Sequence, residues 1–177
     1  DSARYRTGDL LVYAAHMQPL RGAAADPLSF SFLLGYFCHL VPDNCWMEEI
    51  GHPTKQRYAE QFAADPDFIW EVKKDWYGLD YRHVRAHADC IYWKVLLPAR
   101  PEQGGLDFLV PESLEWSVAH IQAYYQERGP RVEALLSRPY IYLSQDQVDA
   151  FIHEACACFE RIYAYLWKEG RSPDGKL

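Results

Sequence analysis

Apolar residues recur along this chain at every third or fourth position, which is the spacing of amphipathic helices. Two examples are the stripe Phe68, Ile69, Val72 and Trp76 and the stripe Leu114, Val118, Ile121 and Tyr125. No alternation of apolar and polar residues runs longer than four positions, so the sequence offers no strand signal. The pattern predicts an all-α fold, a bundle of about five to seven helices in a single domain over residues 1–177.

Local start and stop signals set the predicted boundaries. Asp26-Pro27 and Asp65-Pro66 each place a capping carboxylate before a proline that suits the first helical turn. Ser144 and Gln147 form a capping-box pattern before the last helix. The predicted helices cover residues 6–17, 27–50, 54–64, 66–97, 111–128, 131–137 and 145–169, and residues 98–110 are predicted as an internal loop.

His39 and Asp43 are the first candidates for chemistry. Their four-residue separation puts both side chains on one face of a helix, about one turn apart. An imidazole nitrogen and a carboxylate oxygen can then bind one zinc ion, and the plain alternative is a core histidine bonded to a nearby carboxylate. Pro42 lies between them and cannot donate to the Cys38 carbonyl, so we expect a kink or a break there.

A second group follows in the predicted helix over residues 66–97. Asp80, His83, His87 and Cys90 recur at steps of three, four and three, so one helical face would present four groups able to bind a metal. The alternative is a solvated face, because arginine, lysine and aspartate residues are interspersed among them. We take His83 and His87 as candidate metal ligands and Asp80 as a candidate proton acceptor.

The stretch from Leu34 to Trp46 resembles a known family. Gly35, Tyr36, His39, Leu40, Asp43 and Trp46 match the signature Gly-Tyr-x-x-His-Leu-x-x-Asp-x-x-Trp. This signature is similar to that of bacterial zinc-dependent phospholipase C-like proteins, relatives of the phospholipase C and P1 nuclease superfamily. The resemblance implies a helical fold with zinc held between helices and a metal-activated water that attacks a phosphodiester or phospholipid head group. It carries His39 and Asp43 over as ligands, together with Asp1, which matches the aspartate of a Pro-Asp element.

The chain also departs from that family. Arg4 stands where the family has a histidine, and the last helix lacks a His-x-x-x-Glu pair. A site with one or two metals, or a degenerate one, is therefore an alternative to a trinuclear centre. The competing classes are a helical binding or scaffold protein of the same fold without catalysis, and a helical domain without metal.

The composition of the chain limits the classes of partner that it is expected to bind. The net charge of −7 and the lack of a basic stripe argue against broad nucleic-acid binding, and no apolar run is long enough to span a membrane. A small phosphodiester or phospholipid head group is the expected ligand. Five cysteines, an odd number without regular spacing, predict reduced and mostly buried thiols in a cytoplasmic setting, with Cys156 and Cys158 as packing residues.

Overall fold

The computed structural model of the chain describes residues 26–101 and 110–167. These residues form seven α-helices and two short π-helical segments, with no strand among them. The α-helices are α1 (Pro27–Trp46), α2 (His52–Arg57), α3 (Ala59–Ala64), α4 (Phe68–Ala86), α5 (Pro111–Tyr124), α6 (Pro130–Ser137) and α7 (Gln145–Trp167), and the π-helical segments are Met47–Gly51 and Tyr92–Leu96. The predicted all-α class is confirmed, while the helix predicted over residues 6–17 lies outside the described residues.

The described residues belong to two compact units. The first contains residues 26–53 and 149–167, and the second contains residues 54–101 and 110–148. In sequence, the second unit lies between the two parts of the first. A single domain over residues 1–177 stays a prediction.

The first unit is built on α1. Asp26 caps this helix by accepting a hydrogen bond from the Leu28 amide at 3.2 Å, as the Asp-Pro signal predicts. Leu33, Phe37 and Val41 recur every four residues and form its buried face. Apolar burial along this stripe stabilises the helix and leaves the opposite side of α1 to solvent.

Helix α1 continues through Pro42, so the break expected there is absent. The proline removes one backbone hydrogen bond, a cost of about 3 kcal/mol in an exposed helix. Burial of Val41 and of Phe37 one turn earlier offsets this cost. The main chain then passes directly into the π-helical segment Met47–Gly51, which buries Ile50.

None of the five cysteines is buried. Cys38 and Cys156 are exposed, and Cys45, Cys90 and Cys158 are half-buried. The prediction of mostly buried thiols is therefore wrong, as is the packing role given to Cys156.

The second unit is organised by α4, which packs on α6. Tyr81, Val132 and Leu135 form its buried cluster, and four half-buried side chains surround them: Tyr77, Tyr124, Tyr125 and Leu136. The two helices approach closely at Gly78, where an added Cβ atom would lie 2.8 Å from the Leu135 carbonyl oxygen. Only glycine fits this approach without a shift of the backbone.

Several predicted boundaries differ from the observed ones; the helix predicted over residues 111–128, for example, ends at Tyr124. The helix predicted over residues 54–64 is interrupted at Tyr58, whose ring packs on Tyr142 with centroids 5.1 Å apart. The helix predicted over residues 66–97 ends at Ala86 because His87 leaves the helical conformation. The His87 amide and its ring nitrogen Nδ1 both lie within hydrogen-bonding distance of the His83 carbonyl, at 3.1 and 2.9 Å. These contacts satisfy a carbonyl of the last turn and favour the end of the helix there.

Candidate functional site

His39 and Asp43 lie together on the solvent side of α1. The His39 Nε2 atom is 3.3 Å from the Asp43 Oδ2 atom, and the two side chains are 65% and 63% exposed. Because α1 remains helical through Pro42, the four-residue spacing brings them one turn apart on one face. The alternative of a core histidine bonded to a carboxylate is wrong in its burial, since both groups are open to solvent, whereas its contact between imidazole and carboxylate is present.

The separation of these two atoms suits a shared metal ion. Ligands on a tetrahedral zinc ion, with bonds of about 2.0–2.1 Å, stand about 3.3 Å from each other. The donors are one imidazole nitrogen and one carboxylate oxygen, a combination that zinc accepts. The same 3.3 Å is also the distance of a direct contact between imidazole and carboxylate, so it is compatible with zinc binding and does not require it. Any further zinc ligands have to come from other parts of the chain. Asp1, the third candidate from the resemblance, lies outside the described residues.

Within residues 26–101 and 110–167, no group of three or more histidine, cysteine, aspartate or glutamate side chains is placed to hold a metal ion. His39 and Asp43 are in the first unit, while Asp80, His83 and His87 are in the second.

His83 and His87 are adjacent in the second unit, although they do not share a continuous helix. Their rings stack with centroids 4.4 Å apart and planes 28° apart. The lone pair of an imidazole nitrogen lies in the ring plane, so stacked rings direct their lone pairs side by side and not toward one point. Binding of one ion by both residues requires rotation of a ring. Because His87 leaves the helix, the predicted four-group face of Asp80, His83, His87 and Cys90 is not formed.

Asp80 has an unusual electrostatic setting near the end of α4. The Tyr125 hydroxyl donates a hydrogen bond of 3.3 Å to its Oδ2 atom. Loss of water around the carboxyl raises the pKa of Asp80 to about 6, and the Tyr125 hydrogen bond acts in the opposite direction. The residue as a whole still reaches solvent, so this carboxyl can exchange protons with water. A pKa close to neutrality suits a group that accepts a proton at pH 7.

Asp75 is the one buried charged residue in the described part of the chain, and its role was not predicted. Its Oδ2 atom accepts hydrogen bonds from the backbone amides of Ile141, Tyr142 and Leu143 at 2.7, 2.6 and 3.3 Å. The Arg138 guanidinium lies 3.4 Å from the Oδ1 atom. Through these contacts, Asp75 holds the segment before α7 against α4.

A sequence signal for Asp75 existed. It stands between Val72 and Leu79 at the spacing of inward-facing positions, where a charged residue calls for a buried partner. The amide partners are 66 to 68 residues away in sequence, so the spacing could not identify them.

Comparisons with protein-family models, with curated proteins and with solved structures find no match for this chain. Among the helices of the described residues, none is both long and apolar enough to cross a membrane. Function must therefore be inferred from the side chains themselves.

Proposed function

We propose that this chain is a zinc-dependent phosphodiester hydrolase acting on phospholipid head groups or similar small phosphodiesters, with His39 and Asp43 as two zinc ligands. The observation that supports it is the exposed pair on α1, with its nitrogen and oxygen atoms 3.3 Å apart. The same two residues belong to the motif that resembles phospholipase C-like proteins. The odd number of cysteines leads us to place this activity in the cytoplasm.

In this proposal His39 binds through Nε2, and Asp43 supplies an anionic oxygen that balances part of the ion's charge. Zinc, when bound, polarises a phosphoryl oxygen and lowers the pKa of water. The exposure of both side chains leaves room for a polar substrate to approach from solvent.

The proposal also includes the group Asp80, His83 and His87 in the second unit. Asp80 is assigned as a proton acceptor because its pKa of about 6 leaves it mostly ionised at pH 7 and still able to take up a proton. The His83 carbonyl engages Nδ1 of His87, so Nδ1 carries the proton and Nε2 of His87 keeps a lone pair for a metal. His83 becomes a second ligand only if its ring turns away from the stack.

Metal content of the untagged full chain tests the first part. We expect zinc in the protein as purified, and a loss of at least tenfold in zinc affinity in the variant His39→Ala, Asp43→Ala. The matched control is the variant Glu48→Ala, His52→Ala. It removes another carboxylate and histidine pair with a four-residue separation, whose side chains are 3.7 Å apart and which lies outside the motif. Equal zinc binding in the parent and both variants contradicts the assignment.

Activity tests the second part. Bis(p-nitrophenyl) phosphate and short-chain phosphatidylcholine are incubated with zinc-loaded protein and with protein treated with chelator. The proposal expects turnover that chelator abolishes, that zinc restores and that the His39→Ala, Asp43→Ala variant lacks. Fully zinc-loaded protein without turnover points to the second candidate.

The second candidate is a binding protein of the same helical class without catalysis. It is favoured by an exposed aromatic pair on α5, where Trp116 is 67% exposed and stacks on His120 with centroids 5.0 Å apart. Tryptophan is enriched at contact surfaces for ligands and partners. Quenching of tryptophan fluorescence by a phospholipid without hydrolysis, lost in Trp116→Ala, supports this candidate over the enzyme.

A further inference from the structure

Three buried polar atoms of the second unit lie at one contact and have no hydrogen-bonding partner among the described residues. They are the Oδ1 atom of Asp75, the Nη1 atom of Arg138 and the hydroxyl oxygen of Tyr140. Asp75 belongs to α4, and the other two residues belong to the segment that connects α6 with α7. Buried polar groups are almost always hydrogen-bonded, either to protein or to an ordered water, so this group of three atoms requires an explanation.

The three atoms gather around one turn of α4. The Arg138 Nε atom is 3.4 Å from Asp75 Oδ1, and the other carboxylate oxygen accepts a hydrogen bond from the amide of Ile141, the residue that follows Tyr140. The Tyr140 hydroxyl lies above Gly78, 3.1 Å from the position that a Cβ atom would have there. Positions 75 and 78 are neighbours on the helix surface, with about 5–6 Å between Cβ positions. The Tyr140 hydroxyl is therefore close to the Asp75 carboxylate.

The ion pair of Asp75 with Arg138 does not supply the missing hydrogen bonds. Its 3.4 Å contact joins Oδ1 to Nε, and the two groups are not aligned as donor and acceptor. The three backbone amides that Asp75 binds all donate to the other oxygen, Oδ2. Oδ1 therefore retains its lone pairs, Nη1 retains its N–H groups, and the Tyr140 hydroxyl retains a proton and lone pairs. A group that joins all three has to donate and to accept.

Charge and space limit what this group can be. Asp75 is negative and Arg138 is positive, so their charges oppose an additional cation and an additional anion alike. Space is short, because a Cβ atom at Gly78 would already lie 2.9 Å from the Tyr140 ring. A neutral molecule of the size of water, which both donates and accepts hydrogen bonds, meets both conditions.

We propose that Asp75 Oδ1, Arg138 Nη1 and the Tyr140 hydroxyl bind one internal water molecule. The water donates a hydrogen bond to the carboxylate and accepts one from the guanidinium, and the rotatable Tyr140 hydroxyl bonds to its remaining proton or lone pair. Three hydrogen bonds are typical of a buried water. The water is thus a structural link between α4 and the segment before α7. The inference is independent of any hydrolase activity, because none of these residues belongs to the proposed zinc site.

A crystal structure of the full chain, at a resolution that shows ordered water, gives the first test. We expect one ordered oxygen within about 2.7–3.2 Å of Asp75 Oδ1, Arg138 Nη1 and the Tyr140 hydroxyl. An oxygen that contacts fewer than three of these atoms overturns the proposal, and so do direct hydrogen bonds among them. This test is made on the parent protein, so it does not depend on the folding of any variant.

The variant Tyr140→Phe gives the second test. It removes one partner of the water and keeps the ring, on whose face the Arg82 guanidinium lies 4.5 Å from the centroid. Magnetic relaxation dispersion of the water oxygen-17 nucleus measures how fast internal water exchanges with bulk solvent. We expect exchange about fivefold faster than in the parent, the factor that corresponds to one hydrogen bond.

The matched control is Tyr142→Phe, which removes a hydroxyl from the same segment. The Tyr142 ring packs on Tyr58 and Phe68, and its hydroxyl is not one of the three atoms. This variant should exchange its internal water at the rate of the parent. Equal exchange in the parent and in Tyr140→Phe overturns the proposal, and so does the same acceleration in both variants.

Discussion

Replacement of Asp75 by alanine tests how much one buried carboxylate contributes to the second unit. The side chain is fully buried, and its Oδ2 atom accepts three backbone hydrogen bonds from residues 141–143. Arg138, which is 19% exposed, balances its charge. Alanine removes the acceptor, leaves three amides without a partner and leaves a nearly buried guanidinium without its counterion.

The expected loss follows from these contacts. Removal of one partner of a buried ion pair costs about 3–5 kcal/mol, and a buried amide without a partner costs about 1–3 kcal/mol. These costs do not add fully, because the segment at residues 141–143 can loosen and admit water. We expect Asp75→Ala to lower the free energy of unfolding by about 4 kcal/mol, a large share of the roughly 5–15 kcal/mol typical of a domain.

The more conservative change Asp75→Asn should cost less. Asparagine retains one oxygen for the amides but presents an uncharged group to Arg138, so we expect a loss of about 2 kcal/mol. The control is Glu71→Ala, one turn earlier on α4. Glu71 is 47% exposed and paired with Lys74, and surface pairs of this kind contribute about 0.2–1 kcal/mol.

Urea unfolding followed by circular dichroism measures all three variants against the parent. The reasoning requires the order Asp75→Ala, then Asp75→Asn, then Glu71→Ala in decreasing loss. It is refuted if Asp75→Ala unfolds within about 1 kcal/mol of Glu71→Ala, because an effect of that size is typical of surface substitutions.

Three further predictions concern other positions. Gly78→Ala should lower the free energy of unfolding by about 1–3 kcal/mol, because its Cβ atom would lie 2.8 Å from the Leu135 carbonyl oxygen. Gly35→Ala should be neutral or stabilising, because nothing lies within 4 Å of the added Cβ atom. Thermal melts that rank the two variants the other way contradict this prediction. Because the pKa of Asp80 is raised from 3.8 to about 6, protonation of its carboxyl stabilises the fold at low pH, and this contribution is lost as the pH rises through about 6. The melting temperature of Asp80→Asn should therefore increase relative to that of the parent between pH 4 and pH 7. A constant difference in melting temperature across that range would argue against this reasoning. Ser144→Ala should lower the free energy of unfolding by about 1 kcal/mol, because the Ser144 Oγ accepts a hydrogen bond from the amide of Gln147 at 3.3 Å. An unchanged midpoint of urea unfolding would show that this cap does not stabilise the fold.

Features that depend on neighbours along the chain could be predicted from the sequence. The reciprocal hydrogen bonds of Ser144 and Gln147, at 3.0 and 3.3 Å, form the predicted capping box. The Asp26 cap begins α1 as predicted. The contact of His39 with Asp43 follows from helix geometry alone, since four residues make about one turn. The all-α class follows from the same 3.6-residue period.

Other features depend on residues far apart in sequence, and only the tertiary structure decided them. Packing of the apolar face of α1 carried the helix through Pro42, against the local preference for a break. The ring contacts of Phe37 with Phe159 and of Trp46 with Phe151 follow from how α1 meets α7, and no spacing rule connects them. The three amides that hold Asp75 lie 66 to 68 residues beyond it. The periodicity of apolar residues predicts which face of a helix is buried. Which other helix covers that face depends on the pairing that buries the most apolar area, and this pairing involves residues from the whole chain.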